Sequence, residues 1–147
     1  MGHWTTGVAV VTTRAAGRPR GLTANAVCSL SLEPLLVLAC LERSSDTHAC
    51  IRTAGYFAIN VLGADQERIA RRFAAHDGSD RFEGLAHREE RTGAPVLEQA
   101  LAWVDCRLWR ADEGGDHAIL IGEVLAGDAA AGQPLVFYRG GYGGISP

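Results

Sequence analysis

A chain of 147 residues and 15.6 kDa fits one domain spanning residues 1–147, because only longer chains need to divide into several cores. Hydrophobic residues at 47% and charged residues at 21% exclude a disordered chain, and no apolar run approaches the roughly 20 residues of a membrane helix. The formal charge of −3, with no basic run to offset it, excludes a general attraction for nucleic acid.

Thr6 to Thr13 (TGVAVVTT) is apolar on both faces and rich in β-branched residues, so it reads as a buried strand. It ends at the polar stretch Arg14 to Gly21, which reads as a hairpin turn. Leu22 to Leu32 reads as a second strand, broken by Glu33-Pro34 before a third over Leu35 to Leu41. Ser44-Ser45-Asp46 supplies N-cap side chains for a short helix that Gly55 stops as the C′ residue.

Phe57 to Leu62 reads as a strand, and a second helix follows with Asp65 as its N-cap. Its apolar stripe is Ile69, Ala70, Phe73 and Ala74. His76 to Pro95 is polar and reads as a surface excursion able to cover a site. From Ala102 to Leu108 the residues Ala102, Val104, Cys106 and Leu108 alternate with the mixed face Trp103, Asp105 and Arg107. A turn at Asp112 to Gly115 leads to a strand over Asp116 to Ala126, and a last strand covers Leu135 to Tyr138. Six or seven strands, two helices and no regular β-α alternation predict a mainly β chain with minor α. An antiparallel barrel, closed or nearly so, is its architecture, with the helices flanking it.

The familiar catalytic motifs are missing: no G-x-S-x-G, H-E-x-x-H, G-x-x-x-x-G-K or G-x-G-x-x-G occurs. All 14 cationic side chains are arginine, which excludes a lysine Schiff base and favours planar recognition of phosphate or carboxylate. Cys28, Cys40, Cys50 and Cys106 form no C-x-x-C pair, and three of them read as core, so neither a disulfide nor a zinc site is expected. Met1-Gly2-His3-Trp4 has no leader features, which makes the cytoplasm the default expectation. Gly140 to Gly144 reads as a mobile tail rather than a phosphate cradle. His117 opens an apolar strand after a tight turn, where a side chain can point into a barrel mouth or simply end the strand. His3, His48, His76 and His87 lack metal-ligand spacing and read as solvated. Arg43-Ser44-Ser45-Asp46-Thr47 gathers hydroxyls and N–H groups at a helix start, suited either to phosphate or to plain N-capping.

Motifs in a fixed order run nearly the whole length: GHWTTGV from Gly2, GLTANA from Gly21, SLSLEP from Ser29, RSSDT from Arg43, GYFAINVL from Gly55, Arg81-Phe82, Gly115-Asp116-His117 and YRGGY from Tyr138. In these the chain resembles the flavin reductase-like family. The resemblance implies an antiparallel split β-barrel of Greek-key type, a homodimer, and the reductase component of a two-component flavin-dependent monooxygenase. It implies FMN or FAD, with NADH as donor. NADPH is disfavoured because no arginine pair stands near the His117 turn.

By the same resemblance Leu22, Thr23, Ala24, Asn25 and Ala26 would lie beside the isoalloxazine. Cys40, Leu41, Glu42, Ser44, Ser45 and Thr47 would hold the ribityl phosphate region, Arg81 and Phe82 would close over the flavin, and His117 and Tyr142 would face the nicotinamide. Ala26 stands where many relatives have serine, and Val27-Cys28 where an aromatic and a hydroxyl residue are usual, which leaves backbone N–H groups to serve the flavin there. The family's N-terminal helix is nearly absent, the chain starting within its last turn. Other implied readings are an oxidase like the pyridoxamine phosphate or deazaflavin enzymes of related fold, and a flavin-binding electron carrier without a nicotinamide site.

Overall fold

The structure is a computed structural model and describes residues 1–146. Strands β1 (Thr6–Gly7), β2 (Ala9–Ala15), β3 (Arg18–Ala24), β4 (Val27–Leu32) and β5 (Leu35–Glu42) precede helix α1 (Asp46–Ala54). Then come β6 (Tyr56–Val61), α2 (Glu67–Ala74), β7 (His87–Arg88) and β8 (Val96–Leu97). Long strands β9 (Ala102–Gly114) and β10 (His117–Ala129) are followed by β11 (Val136–Tyr138) and β12 (Gly141–Gly143). The main sheet is antiparallel, in the order β3-β2-β6-β9-β10-β5-β4. Its two edges, β3 and β4, are consecutive in the chain and joined by only Asn25 and Ala26. Seven strands can meet that condition only if the sheet curls until its edges approach. No helix is long and apolar enough to cross a membrane.

β2 is apolar on both faces because both are covered. Ala9 and Val11 face an inner cluster with Leu41, Ile51, Phe57, Cys106 and Leu120. Val10 faces an outer one with Leu62, Leu135 and the α2 residues Ala70 and Phe73. Helix α1 runs as expected: the Ser45 hydroxyl accepts from His48 N, and Gly55, at φ +81°, donates its N–H to Ile51 O. Both helices place an acidic residue in the first turn and arginine in the last.

Several expectations are corrected. The segment Thr6 to Thr13 divides at Val8, so that β1 pairs with β11 in a separate three-stranded sheet while β2 enters the main one. Leu22 to Leu32 is two strands on opposite edges. Asp65 does not cap α2. Gln66 stands at the N-cap without a side-chain cap bond, its amide instead taking Gly63 N and donating to Gln99 O. Gly140 to Gly144 is not a free tail, for it contains β12, paired to β11 across a turn at Arg139 and Gly140, both at positive φ. Only Cys106 of the four free cysteines is buried, Cys28 being exposed and Cys40 and Cys50 half-buried.

The excursion is pinned rather than loose. Asp105, fully buried, accepts from Arg91 N, Thr92 N and the Thr92 hydroxyl, while Asn60 accepts from Leu97 N and the Thr12 hydroxyl donates to Pro95 O.

Candidate active site

A cavity of about 740 Å³ opens along edge strand β3, bounded by the Asn25-Ala26 corner, the end of β5, the start of α1, the C-terminal end of α2 and the segment from His76 to Phe82. Its walls include Leu22, Thr23, Ala24, Asn25, Ala26, Cys40, Leu41, Glu42, Ser44, Ser45, Thr47, Arg81, Phe82 and His117. Residues far apart in the chain thus converge on one concavity of a size suited to a cofactor or drug-sized ligand. Tyr142 is not among them. It packs on Phe137 at 5.4 Å between ring centroids, with the Arg71 guanidinium over its ring at 5.0 Å.

Several of these side chains are already committed to the protein. The Thr23 hydroxyl donates to Ala70 O at 2.6 Å, which ties β3 to α2. The Ser45 hydroxyl, besides capping α1, donates to Glu42 O at 2.9 Å. The Arg81 guanidinium donates to Gly21 O and Ala75 O, fastening the excursion to β3 and to the end of α2. Phe82 is buried edge-on against Phe73 and His87. Groups that remain for a ligand include the N–H groups of the corner, the Asn25 amide, the Ser44 and Thr47 hydroxyls, and the His117 ring.

His117 starts β10 opposite Glu42 of β5 and Gly114 of β9. Gly115, at φ +75°, makes the two-residue turn that puts it there. Its Nδ1 lies 2.7 Å from Asp116 Oδ1. Since a carboxylate only accepts, Nδ1 carries the hydrogen, and Nε2 is the ring nitrogen without a protein partner. The same hydrogen bond holds the Asp116 carboxyl below the ordinary carboxylate range. Arg43 N donates to Asp116 O and its side chain meets Glu113, which locks the start of α1 to this turn. Burial, and then the neighbouring Cys28, push the Cys40 thiol up, so the cavity wall holds a neutral thiol there rather than a nucleophile.

The sequence does not mark the wall residues Pro19, Arg20, Phe73 and Ala74 for a site, whereas Gly21 and Asp46 fall within its motifs, and His76, Gly78, Ser79 and Asp80 within the excursion read as able to cover a site. Gly21 is needed because a Cβ there would stand 3.0 Å from the Phe73 ring and 3.1 Å from Val11 O. The strand-helix approach that would have exposed these positions is a long-range fact with no local mark.

The profile of the family described as "Flavin reductase like domain" matches residues 1–146. The chain belongs to that family. Among flavin reductase-like proteins, it is 43% identical over 147 residues to the reductase component of 4-nitrophenol 4-monooxygenase/4-nitrocatechol 2-monooxygenase from Rhodococcus opacus. The match covers 100% of this chain and 78% of that protein. It is 40% identical to FMN reductase (NADH) SmoA of Agrobacterium fabrum, over 99% of this chain and 83% of the other. The solved structure of the Streptomyces globisporus C-1027 NADH:FAD oxidoreductase SgcE6 superposes with a TM-score of 0.93 at 39% identity, covering 99% of this chain and 89% of that one.

The donor set fits a flavin. Hydroxyls and N–H groups at the start of α1 suit a phosphate, and the apolar Leu22 and Ala24 beside the exposed Asn25-Ala26 backbone suit a flat heteroaromatic ring with a polar edge.

Proposed function

We propose that the chain is an NAD(P)H:flavin oxidoreductase that takes FMN or FAD as a diffusible substrate and supplies it, reduced, to a separate flavin-dependent monooxygenase. The observation that carries this is the convergence of the 21–26, 40–47, 81–82 and 117 segments on a single cavity in a flavin reductase-like chain. NADH is the favoured donor, since the relatives from Agrobacterium fabrum and Streptomyces globisporus are both named for it. One of these is named for FMN and the other for FAD, and either flavin suits the proposal.

When both ligands are bound, the nicotinamide supplies the hydride and the flavin accepts it. The protein's own task is positioning, which makes the transfer effectively unimolecular. Residues 22–26 would flank the ring, with backbone N–H groups at the corner facing its polar edge, where they would stabilise developing negative charge. Ser44 and Thr47, with the first N–H groups of α1, would hold the phosphate. His117 would hydrogen-bond the nicotinamide through Nε2, Asp116 keeping the ring turned that way. Arg81 and Phe82 would act as a wall whose arginine is already anchored.

A second copy of the chain completes this reading. β4 is an edge strand with Leu30 and Leu32 exposed, and Leu35 follows them on β5; such an apolar edge calls for a cover.

The test varies free flavin at fixed enzyme and saturating NADH, then adds a flavin-dependent monooxygenase that lacks its own reductase. A rate that saturates with flavin at micromolar concentrations, near −8 kcal/mol of binding, and a monooxygenase that turns over are the expected outcome. A rate indifferent to added flavin, with a silent monooxygenase, would mark a fixed prosthetic group instead.

A further inference from the structure

Arg20 lines the same cavity as Ser44 and Thr47, yet it makes no hydrogen bond or ion pair among the described residues. Its neighbours differ: Arg81 is spent on two carbonyls, and Arg43 on Glu113 and Gly115 O. Strand alternation puts Arg20 on the face of β3 that carries Leu22 and Ala24, and those two pack in the inner cluster with Ile51 of α1. The β2–β3 turn, at Ala15 to Gly17, lines a second hollow together with Ala49 and Cys50 of α1. The helix therefore runs alongside this stretch of β3, and its first turn and Arg20 look into one space.

We propose that Arg20 is a specificity-determining residue of the flavin site: its guanidinium binds the phosphate that FMN and FAD carry and riboflavin lacks. The inference rests on the flavin reductase reading and deepens it. A planar guanidinium offers two parallel N–H donors to a phosphate, the geometry that makes such contacts strong and selective. Glu42 and Asp46, also in the cavity wall, form no ion pair with it, so an incoming anion need not displace a carboxylate from the arginine. Arg18 is the internal control. It lies two residues back on the same face of β3, is exposed, and does not line the cavity.

Riboflavin, FMN and FAD are titrated separately into the wild-type protein and into R20Q, R20K and R18Q, following flavin fluorescence without any nicotinamide. R20Q should weaken FMN and FAD about tenfold or more and leave riboflavin within about twofold, the size of one lost charge-assisted contact. R20K should recover part of the loss, and R18Q should match the wild type. Equal weakening of all three flavins, no weakening of any, or the same effect from R18Q would overturn the role of Arg20. A wild-type protein that binds none of the three would instead remove the flavin reading itself, so the two failures are distinct.

Discussion

At the scale of single residues, His117 and Cys106 show how position decides chemistry. His117 is held by Asp116 at the mouth of the cavity, and no protein group answers its Nε2. Replacing it with alanine should raise the KM for NADH several-fold while flavin affinity, read by fluorescence titration, stays within a few-fold; unchanged steady-state kinetics would make it structural. Cys106 is completely buried, and burial pushes its thiol up to about 12, from an ordinary 9.0. The unfolded chain releases this proton above pH 9, whereas the folded one keeps it until near 12. Stability should therefore fall as pH rises through that window, by up to about 1.4 kcal/mol per unit from this group. C106A should lose about 1 kcal/mol at neutral pH yet show a flatter decline between pH 9 and 11, measured by urea unfolding. Alkylation of the native protein at pH 8 should spare Cys106.

At the scale of elements, the close packing of β10 against β6 and β9 depends on a missing side chain. A Cβ on Gly122 would stand 2.7 Å from Cys106 Cβ and 2.7 Å from the Phe57 ring, so G122A should cost about 1–3 kcal/mol and lower Tm by several degrees in a thermal melt. Elements whose cues are local were legible in the sequence: the Ser45 cap, the Gly55 stop, and the doubly apolar run of β2. Those defined by distant partners were not. Nothing near Asn25 and Ala26 signals that the chain leaves one edge of the sheet for the other, because the alternation of Leu22 to Leu32 continues across the corner. Asp105 looks like a solvent-facing residue of a mixed strand, and only the folded excursion brings Arg91 and Thr92 to bury it. Glycine-rich β12 is ordered by β11, and with it Tyr142 turns toward Phe137 and Arg71. For the site, the segments that line the cavity stood out through family resemblance, but the commitments of Thr23, Ser45 and Arg81 to the protein were invisible.

At the scale of the whole molecule, the exposed leucines of β4 and β5 predict a homodimer, with sedimentation giving about twice 15.6 kDa. Leu32, at 88% exposure, touches little of its own chain, so L32R should leave the monomer folded by circular dichroism, shift the mass toward one chain and weaken flavin binding. A stable wild-type monomer that still turns over flavin would refute the dimer. The two-residue corner between β3 and β4 bears on mechanics as well. Every other seam of the main sheet is a ladder of backbone hydrogen bonds, with 12 paired positions between β9 and β10 and 7 between β2 and β3. The seam between β3 and β4 has no ladder, and β3 with the Asn25-Ala26 corner lines the cavity. The molecule is thus built like a hoop with a clasp: it can widen there through a few backbone torsions while its rungs stay intact, so loading and unloading a large flat ligand need not wait for any strand to unzip.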